Sequence, residues 1–303
     1  MGTDWVASLP MYDFPELREA HDEFWDAIAG RLIAAGLKGI PRTLTRGVWP
    51  AEVWADPSLL FAQGCEYPLA KAFGDRVRVV AHPVYSAAGC EGARYRSAIV
   101  ARWGGTAHTG GAAPAGGAAS AGGTAPAGPR ADSGVGGTAV ALADLRGQRC
   151  VVNELDSNSG MNLLRAAIAP LSNGERFFAS VAVSGSHLRS VEMIASGQAD
   201  VAAIDCVSFA HFQRLYPSLV GELRVLGWTT STPSLPYITA LSASDSTAQA
   251  LRTALADVFA DESLAPVRAK LLLQGVDLEP VEGFGEVLAL ERGAVDAGYP
   301  ILR

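Results

Sequence analysis

The stretch RCVVNELDSNSGMNLLRAAIAPLSNGERFFASVAVSGSHLRSVEMIASGQADVAAID, residues 149–205, decides the fold. Its apolar runs at 149–153, 177–183 and 200–205 read as short strands. Between them, 162–169 carries apolar residues at helical spacing and closes at Pro170, and 187–196 does the same and closes at Gly197. Strands that alternate with helices predict βαβ units and a largely parallel sheet.

The same rhythm extends outward. Upstream, 98–103 is a strand and 142–147 a short helix with a Gly stop; downstream, 209–216 is a helix ended by Pro217 and 223–228 a returning strand. Near the N-terminus, Trp5–Leu9 is a short apolar strand. Asp13-Phe14-Pro15-Glu16 has the form of a helix start, with Asp as N-cap and Pro in the first turn. Leu17, Phe24, Trp25, Ile28 and Leu32 then recur at helical spacing up to Gly36, a residue suited to a left-handed helix end. Residues 59–62, 77–81 and 237–241 read as buried strands, and 246–259, 264–273 and 286–294 as helices. The fold class is α/β.

Composition sets the outer bounds. The chain has 303 residues, 49% of them hydrophobic, which supports a substantial core and a prior of about two domains. The formal net charge is -7, and a phosphate-neutralising surface needs clustered Lys and Arg, so nucleic acid is not an expected partner. No apolar run reaches the roughly 18 residues of a membrane span. Met1–Pro10 lacks the basic and apolar regions of a leader, which implies either a cytoplasmic chain or a mature exported one.

Glycine is in excess, 33 residues, and twelve of them fall in 104–137. That segment also holds ten Ala and only Val135 as a large aliphatic, so burial cannot offset its ordering entropy. It reads as a disordered insertion, with His108 as a bystander. Four cysteines (Cys65, Cys90, Cys150, Cys206) show no CxxC spacing, which disfavours structural zinc. They are either buried small side chains or, in an exported chain, include a Cys65–Cys90 disulfide.

Both strand-to-helix joints of the opening stretch are chemically suggestive. In the first, Ser157, Asn158, Ser159, Gly160 and Met161 open a helix. Unpaired N–H groups and the positive end of the helix dipole favour an anion there, and Gly160 lets a ligand approach the backbone. The alternative is ordinary N-capping by Ser157 or Asn158. No Lys stands at the place a P-loop needs one, which disfavours nucleotide hydrolysis. In the second joint, Gly185-Ser186-His187 offers further helix N-terminal amides and an imidazole, unless His187 simply caps or packs. Asp205, at the end of the third strand, points to the same edge, where open α/β folds bind ligands.

These segments resemble the phosphate, phosphite and phosphonate-binding proteins of ABC importers, which have the type II periplasmic-binding fold. The resemblance is carried by Ser157-Asn158-Ser159-Gly160, Gly185-Ser186-His187 and residues 197–205, and further by 8–12, 63–68 and Gly298-Tyr299-Pro300. It covers essentially the whole chain outside 104–137. It implies a two-lobed clamp, with lobe one at 1–94 plus 230–303, lobe two at 95–229, and two crossover strands as the hinge. Ser157, Asn158 and Ser159 would hold the oxyanion and His187 would be a second donor. Tyr12, Tyr67 and Tyr85 would line the cleft from lobe one, with Gln63 a weaker candidate. Asn158 departs from the Ser or Thr common at its position. The resemblance further implies no cofactor, no catalytic or metal residues, a monomer, a small anionic ligand, a permease partner if the chain is exported, and a periplasmic location.

Other readings use the same residues. A nucleophile beside His187 could be Ser186 or Cys206, but Ser186 is its sequence neighbour and no G-x-S-x-G elbow is present. The clamp could take another small molecule, such as a thiamine precursor or an organic acid. The chain could also be an interaction module with the Gly/Ala segment as tether. Cleft composition discriminates between ligands: stacking aromatics favour a heterocycle, amide-rich helix ends an oxyanion.

Overall fold

The computed structural model describes residues 5–102, 142–279 and 283–303. The Gly/Ala-rich segment read at 104–137 lies outside the described residues. Two five-stranded mixed sheets organise the chain. The first runs Val6–Ser8, Leu59–Gln63, Tyr237–Ala240, Val77–Tyr85, Leu273–Asp277. Val6–Ser8 pairs parallel with Leu59–Gln63, while Tyr237–Ala240 and Leu273–Asp277 run antiparallel to their neighbours. The second runs Ser180–Val183, Arg149–Val152, Val201–Asp205, Ser97–Arg102, Leu223–Trp228. Its first three strands, all from the opening stretch, are parallel. Ser97–Arg102 runs against them and Leu223–Trp228 against it. The parallel expectation therefore holds where βα units follow one another, and Ser97–Arg102, Tyr237–Ala240 and Leu273–Asp277 run against it.

The two crossovers lie side by side. Ala98 pairs with Trp228 within the second sheet, and beyond it Arg94–Tyr95 forms an antiparallel ribbon with Thr232–Pro233. The Ser97 amide donates to Thr229 Oγ1 at 2.9 Å between them. Two side-by-side connections of this kind are the usual form of a hinge between two lobes.

The Arg18–Ala34 helix forms as its periodicity requires. It buries Phe24, Trp25, Ile28 and Leu32 against the first sheet, with Trp25 stacked on Phe61 at 5.8 Å. Asp13 is not its N-cap: a 3-10 turn at Pro15–Leu17 intervenes, and the Asp13 carboxylate instead accepts from Arg46 at 3.0 Å. A charge-assisted pair outcompetes a capping bond. Pro170 does not end its helix, which runs Leu163–Ser172 to a left-handed Asn173. In the last turn proline forfeits a single backbone bond, so the helix passes through it.

The C-terminal helix Gly283–Asp296 spans both halves. Val287, Ala294, Tyr299 and Leu302 share a buried cluster with Ile99, Cys150 and Leu164 of the second sheet's layer and with Tyr67 from beside the first. Phe177 and Phe178 donate their amides to the Arg303 carbonyl. Residues 283–303 thus touch both halves. Glu291 sits between Lys71 Nζ at 2.7 Å and Arg165 Nη2 at 3.9 Å, one from each side.

Candidate functional site

A cavity of about 420 Å³ opens between the two sheets, at the C-terminal ends of the 149–205 strands. One wall consists of helix starts. Ser157 caps the first joint, its Oγ accepting from the Gly160 amide at 3.0 Å. Ser186 caps the His187–Ala195 helix, accepting from the Arg189 amide at 3.1 Å. Asp205 caps the Cys206–Leu215 helix, its Oδ1 accepting from the Ser208 amide at 2.8 Å. Capping and ligand approach therefore coexist at all three, since Ser157, Ser186 and Asp205 also line the cavity.

The two joints meet. Ser159 Oγ lies 2.9 Å from His187 Nε2 and 3.4 Å from Ser157 Oγ. Burial pushes the His187 imidazole down to about 4, so it is neutral at physiological pH. Its Nδ1 is buried with no partner, and so is Asn153 Oδ1. Gly160 is required between them: a Cβ there would stand 1.8 Å from Asn153 Oδ1 and 3.3 Å from His187 Cε1. Gly185, with φ +90, turns the chain into the second helix start through the left-handed region. A hydroxyl, an imidazole and a carboxamide thus converge on one spot with unused hydrogen-bonding capacity. Buried polar atoms without partners are costly unless a ligand satisfies them. The Ser159–His187 contact has the distance of a nucleophile–base pair, but the imidazole has no orienting acid on Nδ1.

Tyr12 reaches this wall from the first sheet's side, its hydroxyl donating to Asp205 Oδ2 at 3.1 Å. Burial raises the Asp205 carboxyl to about 6, partly opposed by its bonds to Ser208 and Tyr12. Burial also pushes the Tyr12 phenol up, so it stays a donor.

Several expected residues lie elsewhere. The Asn158 side chain turns to the hinge, donating to Tyr95 Oη and Thr232 Oγ1, each at 3.1 Å, and accepting from Asn162 at 3.0 Å. Its departure from Ser or Thr thereby gains a physical reason, because only the longer carboxamide spans to both crossovers. Met161 packs into the hydrophobic cluster of the second sheet. Tyr67 is buried in that same cluster, its hydroxyl accepting from Arg165 at 3.3 Å. Tyr85 accepts from Gln63 Nε2 at 2.8 Å and packs edge-on against Tyr12 behind the cavity. These tyrosines support the wall instead of lining it.

The cysteines are all free. Cys90 lies against Cys206, with the sulfurs 3.4 Å apart, rather than against Cys65. Cys65 instead accepts from the Asn158 amide at 3.5 Å, and burial raises its thiol to about 12.

The opposite wall escapes sequence reasoning. Trp49, Trp54, Phe14 and Phe73 line it, brought together from three separate segments. A compositional signal existed in the tryptophans flanking Pro50, but no period ties them to a face. Asn153, at the end of a strand, was equally unmarked.

Two α/β halves, paired crossover strands and a polar-ended cavity between the sheets define a two-lobed solute-binding protein. The chain belongs to the family described as ABC transporter, phosphonate, periplasmic substrate-binding protein, whose profile matches residues 59–280. Members of this family are substrate-binding components of transporters, not enzymes. Among solved structures, PhnD1 from Prochlorococcus marinus in complex with methylphosphonate is similar at a TM-score of 0.67 and 11% identity, over 96% of this chain and 98% of that one. A binding protein component of an ABC phosphonate transporter from Pseudomonas aeruginosa gives 0.66 and 13%, over 97% and 87%. XAC2383 from Xanthomonas citri bound to ATP gives 0.64 and 13%, over 97% and 98%. Among curated proteins, none matches the chain by sequence.

Proposed function

We propose that the cavity binds a phosphorus oxyanion reversibly, with Ser157, Ser159, Ser186 and His187 as its donors and Asn153 turning an amide to it. The observation that carries this is the convergence of two helix starts at the Ser159–His187 contact of 2.9 Å, beside a glycine that admits no side chain. Helix N-termini favour anions without requiring a cationic side chain. Lobe one comprises 1–94 with 230–303 and lobe two 95–229, the 283–303 segment touching both. The ligand stabilises closure about the 94–97 and 229–233 crossovers through contacts that both lobes complete. The protein acts as a monomer in the periplasm and delivers its ligand to an ABC permease. In solved relatives of this fold one ligand is methylphosphonate and another is ATP, so both small and extended phosphoryl compounds are accommodated.

Titration calorimetry against phosphate, phosphite, methylphosphonate and 2-aminoethylphosphonate tests the reading. Binding of at least one is expected. Failure of all four, alongside binding of a heterocycle lacking phosphorus, would falsify it.

A further inference from the structure

The cavity is far larger than its oxyanion end. Phosphate and methylphosphonate each have five non-hydrogen atoms, whereas pockets of about 300–1,000 Å³ suit ligands of drug size. The remaining space is bounded by an aromatic corner. Trp54 is held rigidly there: its indole N–H donates to the Gln63 carbonyl at 3.3 Å and its ring meets Phe73 edge-on at 5.7 Å. Trp49 stands at the rim, 58% exposed, on extended backbone ahead of the Pro50–Ala55 helix. Phe14 closes the far side, packed on Phe212 at 5.3 Å.

The charges lining the cavity point the same way. Asp13, Glu154, Asp156 and Asp205 line it, and no Lys or Arg does among the described residues. Asp13 is paired with Arg46. The one imidazole, His187, is neutral. These carboxylates meet any phosphoryl head alike and add nothing to its affinity, and a compact oxyanion would leave the aromatic corner untouched. A ligand that buries a flat apolar group there gains affinity that does not depend on charge.

We infer that the preferred ligand is an organophosphonate or phosphate monoester bearing an aromatic substituent, its phosphoryl end at Ser159 and His187 and its ring against Trp49, Trp54 and Phe73. This rests on the oxyanion reading above and adds a specificity subsite to it. Discrimination on apolar bulk is worth tenfold or more for even small groups.

The test is calorimetry of the full chain with methylphosphonate, benzylphosphonate and benzylamine. Benzylphosphonate is expected to bind at least tenfold more tightly than methylphosphonate. Trp49→Ala should bring that ratio close to one, with an unchanged melting temperature reporting an intact fold. Equal affinities in the parent protein, or a ratio that Trp49→Ala leaves in place, overturn the aromatic subsite while the oxyanion site stands. Binding of benzylamine with neither phosphonate bound overturns the oxyanion site instead.

Discussion

The two walls of the cavity are built on different principles. The lobe-two wall consists of helix starts in consecutive βα units, so its polar groups are delivered by local structure. The lobe-one wall is assembled from residues 14, 49–54 and 73, which nothing local relates. On the first wall Ser157, Ser186 and Asp205 each cap a helix start and also line the cavity. On the second, aromatic rings create the surface: Trp54, Phe73 and Phe14 are packed into or against the core, while Trp49 stands at the rim. Trp54 is 5% exposed and belongs to the cluster of Leu59, Leu69 and Ile238. Losing a lobe-two side chain should therefore cost affinity, and losing a buried lobe-one side chain such as Trp54 should cost stability as well.

The largest expected effect is on the aromatic side. Trp54→Ala should destabilise the fold by about 3–5 kcal/mol, the usual cost of truncating a buried Trp. Denaturant unfolding measures this, and a loss below 1 kcal/mol would show the wall to be separate from the core.

Next comes a pH effect on the polar side. The Asp205 carboxyl is held at about 6 against an ordinary 3.8. Below about pH 4 folded and unfolded chains both keep the proton, and the shift costs nothing. As pH rises from there to about 6, the unfolded chain ionises first, so this group lowers stability by roughly 3 kcal/mol in all. Asp205→Asn removes that slope, and the variant should gain on the parent protein across this window. Parallel stability curves would mean the carboxyl ionises normally. His187 acts in the opposite sense: held at about 4, it resists a proton that the unfolded chain accepts near 6.5, so its contribution falls as pH drops through that interval.

Ser159→Ala and His187→Ala should each weaken oxyanion binding by about 1–3 kcal/mol, as expected when one partner of a charged hydrogen bond is removed. Because the two groups touch, the double variant should lose less than the sum. Unchanged affinity in both single variants would place the ligand elsewhere.

The smallest effect separates site from hinge. Asn158→Ser keeps a small polar group at the helix start but cannot reach Tyr95 and Thr232. It should cost about 1–2 kcal/mol of stability, from two neutral hydrogen bonds. If it alters affinity alone, Asn158 faces the ligand after all.

Much of lobe two was legible in the sequence. The helix over His187–Ala195, the parallel strands and the placing of both polar joints on one sheet edge all follow from alternating periods. Boundaries were less so: the helix read at 264–273 ends at Lys270, and the strand that follows it, Leu273–Asp277, went unread. The cleft tyrosines show a different limit. Tyr67 and Tyr85 stand near strand ends, as cleft residues do, yet their hydroxyls are satisfied internally by Arg165 and Gln63. Sequence position cannot say which way a side chain with both an apolar body and a polar tip will turn.

The sequence by itself determined the α/β class and the pair of anion-favouring helix starts. These depend on period, caps and glycines, which act over a few residues. Tertiary structure alone decided three things: that Asn158 bonds to both crossovers, that Cys90 meets Cys206, and that Trp49, Trp54 and Phe73 share one cavity with Ser159 and His187. Each is a contact between segments far apart in the chain, and its partner is chosen by how the two sheets pack rather than by any local preference.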